Sequence, residues 1–210
     1  MVYDLEETYG KLALFNIMAH IWTGDWDNYE AIFEEIPASI VNEFPFHEHY
    51  KKDEVALWYD NYFVIPGDYF VSPYLSSYST SDAEEYEKTK QDLLCLIGLY
   101  EKLGFYYPLD QELFPDHFGS LTGFLVSLIR VEIDAIQHQD EILYHQIKKL
   151  QRDVLTKYLH PQMAKLKKEA SEKISHPFFT TFIDFFADSV GKEWVAIQEM
   201  ERENPHLPRV

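Results

Sequence analysis

Apolar side chains recur at three- and four-residue intervals along most of this chain, and no stretch alternates apolar with polar residues over a strand's length. That periodicity commits the backbone to helices, because residues i, i+3, i+4 and i+7 share one face of an α-helix. The nearest approach to a strand, residues 71–78, contains Pro73 and three serines and reads as an extended loop. The spacing predicts an all-α, single-domain bundle of about nine or ten helices over residues 1–203, with a frayed tail at 204–210.

Punctuation residues place the breaks. A first helix carries Leu5, Tyr9, Leu12, Asn16 or Phe15, and Ala19 on one face and stops at Thr23-Gly24-Asp25, where Asp25 can cap the next. The second runs to about Ile36, and Pro37 and Pro45 bracket a short piece. A long helix is expected from His47 to Val64, followed by an irregular stretch from Ile65 to Ser81. Asp82 opens a helix that Gly104 closes, with Tyr86, Leu93, Leu94, Ile97 and Tyr100 on its apolar face. Cys95 lies in the run Leu93-Leu94-Cys95-Leu96-Ile97 and reads as a buried small hydrophobe. After a second irregular stretch, residues 105–116, comes a helix from His117 to about Ile136, apolar on most sides and therefore central. Three more follow: Asp140–Leu159, a shorter one to Ile174, and Pro177–Glu203.

Charge and aromatic content narrow the partners. The net charge is −18, and it is uneven: residues 1–130 carry 7 basic and 23 acidic side chains, residues 131–210 carry 11 and 13. A field of that sign repels phosphates, which argues against nucleic acid and favours cationic partners. Many of the fifteen Tyr, fifteen Phe and four Trp fall in the acidic part. Such residues fill cores, and they also anchor peptides in grooves. The longest apolar run, near residues 119–129, is too short to span a bilayer and ends at Arg130, so no stable membrane insertion is expected. Asp4, Glu6 and Glu7 replace the basic start of a secretory signal, and the single cysteine suits a reducing compartment. The expectation is a cytoplasmic protein.

Sequence motifs for chemistry are sparse. The eight glycines form no phosphate loop, and Gly-x-Ser-x-Gly is missing. His47-Glu48-His49 points its imidazoles apart on a helix. His138, Glu141 and His145, at i, i+3 and i+7, could share a face and hold a divalent ion, against the plainer reading of a solvated surface. No cofactor is assigned. The distinctive element is Phe114-Pro115-Asp116-His117-Phe118-Gly119 at the start of the central helix. There Asp116, at or near the N-cap, can accept from free N–H groups, Gly119 permits close approach, and the helix dipole disfavours protonation of His117.

Three segments together resemble the TorD/DmsD/NarJ family of chaperones for molybdenum-containing redox enzymes. They are Trp58-Tyr59-Asp60-Asn61-Tyr62-Phe63-Val64-Ile65-Pro66-Gly67, Val71-Ser72-Pro73-Tyr74-Leu75-Ser76-Ser77-Tyr78, and Pro115-Asp116-His117-Phe118-Gly119. The resemblance implies a TorD-like fold and no enzymatic activity. It implies binding of the twin-arginine leader, or N-terminal region, of an apo-molybdoenzyme, delaying export until cofactor insertion. It would place Pro115, Asp116, His117 and Gly119 at the leader site, with Pro73, Tyr74 and Ser76 shaping the loop beside it. Trp58, Tyr62 and Phe63 would receive the leader's apolar segment. It allows a monomer or a helix-swapped dimer. Members often have an acidic residue after Pro-Tyr and a Glu two residues after the Gly; Leu75 and Leu121 stand there instead. The rival functions are a metal-dependent all-α enzyme built on His138, Glu141 and His145, and a general peptide-binding adaptor.

Overall fold

A computed structural model describes residues 4–78, 83–105 and 113–203. Among these the protein is all-α. Eight longer helices are α1 (Leu5–Thr23), α2 (Trp26–Glu35), α4 (Lys52–Tyr59), α5 (Ala83–Lys102), α6 (Phe118–Gln137), α7 (Glu141–Val154), α8 (Met163–Lys173) and α9 (Pro177–Glu203), and a single turn, α3 (Ala38–Val41), lies between the second and the fourth. Aspartates start three of them: Asp4, Asp25 and Asp140 each accept from the backbone N–H three residues on. Gly24 closes α1 at φ 66°, a left-handed conformation that glycine adopts freely. The expected tail at 204–210 and the cap at Asp82 lie outside the described residues.

Helix α6 is the centre. It packs between α1 and α7, and most of its side chains from Phe118 to Ile133 are buried. The aromatic core closes round Trp22 at the end of α1. Its ring meets Phe63, Phe118, Phe182 and Phe186 at centroid distances of 4.9–5.3 Å, three of the four edge-on, which suits the ring quadrupoles. Helix α9 thus supplies the lid over α1 and α6. A buried polar network ties the same helices in register. Lys148 of α7 pairs with Glu132 of α6 at 3.3 Å, donates to Gln151 at 2.9 Å, and faces Glu193 of α9 at 4.0 Å. Gln151 donates to Glu132 at 2.7 Å, and Lys11 of α1 reaches Glu193 at 3.4 Å.

Two expectations need correction. The single helix from His47 to Val64 is three pieces: a 3₁₀ turn Pro45–His49, α4, and a π-helical turn Asp60–Val64. The break falls at Tyr50-Lys51, both extended, and the Tyr50 ring there lies against Tyr29 at 4.6 Å. In the π-turn, Asn61 Nδ2 donates to the carbonyl of Leu57. A second π-turn, Leu155–Leu159, ends α7. Cys95 is exposed rather than buried, as is Leu94. Helix α5 turns Leu96 and Tyr100 inward, and at 100° per residue Leu94 then lies on the opposite side. No described helix is long and apolar enough to cross a membrane.

Candidate functional site

The two loops singled out in the sequence are stitched together. Residues 71–78 run as extended chain into a 3₁₀ turn, Leu75–Tyr78, which lies against the entry to α6. Phe118 N–H donates to the Pro73 carbonyl at 2.8 Å, and Leu75 N–H to the Asp116 carbonyl at 3.1 Å. The Asp116 carboxylate accepts the Ser76 N–H at 3.0 Å, so it caps the 3₁₀ turn of the other loop rather than its own helix. The Tyr74 ring stands edge-on to His117 at 5.0 Å. Tyr100 of α5 closes the back, donating its hydroxyl to the Pro115 carbonyl.

The N-cap of α6 is His117, not Asp116. Its Nδ1 accepts the Gly119 N–H at 2.9 Å, which requires a neutral ring with the proton elsewhere. The side chain is 2% exposed, and burial pushes its pKa down to about 3. Burial, not the helix dipole alone, is thus what keeps it neutral. Gly119 is needed for space: a Cβ there would sit 2.8 Å from a methyl of Thr23 and 2.9 Å from the His117 ring. The motif therefore wedges loop, α1 and α6 together. Replacing Asp116 with alanine removes the acceptor for the Ser76 amide. The expected result is a loss of about 1–3 kcal/mol of stability, with hydrogen exchange accelerating first at Leu75 and Ser76.

Beside this clamp lies a pocket of about 70 Å³. Leu75, Ser76 and Asp116 form one wall, Asp92, Leu93 and Leu96 of α5 the second, and Lys157, Tyr158 and Gln162 the third. The π-turn at the end of α7 turns Tyr158 inward and leaves Lys157 exposed at the rim. Burial pushes the Tyr158 hydroxyl up to about 12, so it stays a neutral donor, and it reaches the Asp92 carbonyl at 3.3 Å. The wall residues outside the clamp carry no linear signature; only folding gathers them.

The third segment behaves differently from its sequence reading. Tyr62 is 0% and Phe63 4% exposed; both rings pack on Phe179 in the core. The Tyr62 hydroxyl accepts the N–H groups of Ser175 and His176 at the start of α9. Both rings therefore lie in the core rather than at the surface, and Tyr62 is the platform on which half-buried Trp58 stacks at 5.1 Å. Trp58 also meets the exposed Tyr69 edge-on at 6.3 Å. Close to that pair along the chain Leu57 (62% exposed), Val64 and Ile65 stand in solvent, and Asp60 and Asp68 are exposed too. The Val71 N–H donates to the Tyr62 carbonyl, so this surface and the clamp are the two ends of one tethered loop. Ser76 is seven residue steps from Tyr69, a span of at most about 25 Å.

The trio His138, Glu141 and His145 does not share a helix. His138 ends α6, Gln139 turns left-handed at φ 56°, and Asp140 caps α7 before Glu141. Among the described residues no three His, Cys, Asp or Glu side chains gather as metal ligands.

The chain belongs to the nitrate reductase delta subunit family: that family's profile matches residues 28–167, two thirds of the 210 residues. It is a NarJ/TorD-type family of chaperones acting in molybdoenzyme maturation, in agreement with the resemblance read from the three segments. The match spans the Trp58 surface, both motif loops and every pocket wall, and leaves out α1 and α9. No curated protein and no solved structure matches the chain.

Proposed function

We propose that the protein binds the twin-arginine leader, or N-terminal region, of an apo-molybdoenzyme in the cytoplasm and delays its export until the cofactor is inserted. The observation that carries this reading is the surface around Trp58. Large apolar side chains stand in water there, beside acidic residues, in the more acidic part of a chain with net charge −18. An exposed apolar cluster with a charged rim marks a binding surface, and the sign of the charge selects a cationic, apolar peptide. A leader of that kind joins arginines to an apolar helix-forming stretch. Its apolar part lies on Trp58, Leu57 and Tyr69, and its basic part faces the clamp of Pro73, Tyr74, Ser76, Pro115, Asp116, His117 and Gly119. The clamp residues shape the site, since most of them are buried.

Calorimetric titration of the full chain with a leader peptide tests this. Trp58→Ala removes the central ring and weakens binding by roughly tenfold or more. Thermal melting of the variant checks that the fold is intact. Equal affinity for the wild type and a correctly folded Trp58→Ala would remove this surface from the site.

A further inference from the structure

The pocket beside the clamp has a composition that asks for a particular guest. At about 70 Å³ it is far smaller than the roughly 300–1,000 Å³ of a cofactor or nucleotide site. It has room for the head of one side chain. Residues bearing acceptors line it from three elements: buried Asp116, exposed Asp92 and Gln162. Among the described residues Asp116 gives one oxygen to the Ser76 N–H, and a carboxylate can accept several bonds. Gln162 Oε1 is shut away from solvent, and no donor among the described residues reaches it. Leaving such an acceptor unpaired costs stability, so a donor that satisfies it is favoured beyond its own contacts. The last torsion of a glutamine is soft, so the amide can turn toward a guest. Among the described wall residues the one cation, Lys157, is drawn outward: its side chain is 58% exposed and pairs with Asp153 at 3.4 Å.

We propose that this pocket seats the guanidinium of one arginine of the bound peptide, with Asp92 and Gln162 as its contacts beside Asp116; this rests on the peptide-binding reading above. A guanidinium fits better than an ammonium for two reasons. Its five donors lie in one plane and can meet acceptors on separate walls, where an ammonium is a point charge. Its flat faces are weakly hydrated and lie against Leu75, Leu93 and Leu96.

The test uses two probes. The first is capped arginine (N-acetyl-arginine methylamide), titrated into the full chain while the Gln162 side-chain amide and the Ser76 backbone amide are followed by NMR. The expected result is saturable shifts of both signals, abolished in Asp92→Asn, and weaker shifts with capped lysine. The second is the leader peptide in calorimetry. Asp92→Asn and Gln162→Met are each expected to weaken it about tenfold, the loss of one charge-assisted hydrogen bond, and changing the peptide's arginines to lysine does the same in the wild type only. Gln162→Met also raises the melting temperature of the unliganded chain by removing the unpaired acceptor. Capped arginine that moves neither amide overturns the pocket, as does a peptide whose affinity ignores both variants. Capped arginine that binds while the leader peptide does not would leave the pocket standing and overturn the leader reading.

Discussion

Lys148→Ala lowers the free energy of unfolding by about 3–5 kcal/mol, read from urea denaturation of the purified chain. Lys148 and Glu132 are both almost fully buried, and Gln151 beside them is 1% exposed. Truncating the lysine leaves the Glu132 carboxylate in a dry interior, with the Gln151 amide as its one hydrogen-bond donor among the described residues and Lys11 acting on it electrostatically. It also loosens the contact with Glu193, which joins α7 to α9. The cost arises from the stranded charge, not from the pair's own attraction. The triple replacement Glu132→Leu, Lys148→Met and Gln151→Leu therefore costs less than the single alanine, since it strands nothing. A single mutant as stable as the wild type would mean that water reaches Glu132.

The second large effect is a pH dependence from His117. In the unfolded chain an imidazole titrates near 6.5; in the fold it is pushed down to about 3. Between those values the unfolded state binds a proton that the folded state refuses. Stability from this group is therefore complete above about pH 6.5 and is lost progressively as the pH falls toward 3. At pH 5 the loss is about 2 kcal/mol, and it grows to roughly 4–5 kcal/mol at pH 3. The Asp116 carboxylate next to it is engaged by the Ser76 amide, and Tyr74 meets the ring edge-on. His117→Asn keeps an acceptor for the Gly119 N–H and removes the titration. The measurement is denaturant unfolding of both proteins at pH 7 and pH 5. The variant should lose about 2 kcal/mol less than the wild type; parallel losses would place the acid sensitivity elsewhere.

The helices were legible because their signals are local. Asp25, Asp140 and Gly24 act within three or four residues, and the apolar spacing of α6 marks its burial directly. What escaped depends on distant packing. Nothing near Tyr50 announces a helix break; its ring packs on Tyr29 of another helix, a contact that local sequence does not show. The exposure of Cys95 follows from which face of α5 meets the body, which a run of five apolar residues does not reveal. The motif at residues 115–119 was legible as a feature but not in its role. Asp116 reads as the cap of α6, and the structure spends it on Ser76, forty residues away. The pocket was invisible for the same reason, since Asp92, Lys157 and Gln162 become neighbours only in the fold. Tyr62 and Phe63 show the limit of amphipathic reasoning: aromatic residues beside an exposed patch are often its foundation rather than its face.

The claim that matters most is that Trp58 and Tyr69 form the surface on which the client's N-terminal segment lies. A photoreactive phenylalanine analogue placed at Tyr69, in cells making the client oxidoreductase, tests it directly, with the same analogue at exposed Ile142 of α7 as the control. Mass spectrometry of the crosslinked peptides should find the N-terminal region of a molybdenum oxidoreductase attached at position 69 and not at 142. Crosslinks from position 69 that fall only on other proteins or on interior segments of the client would contradict it.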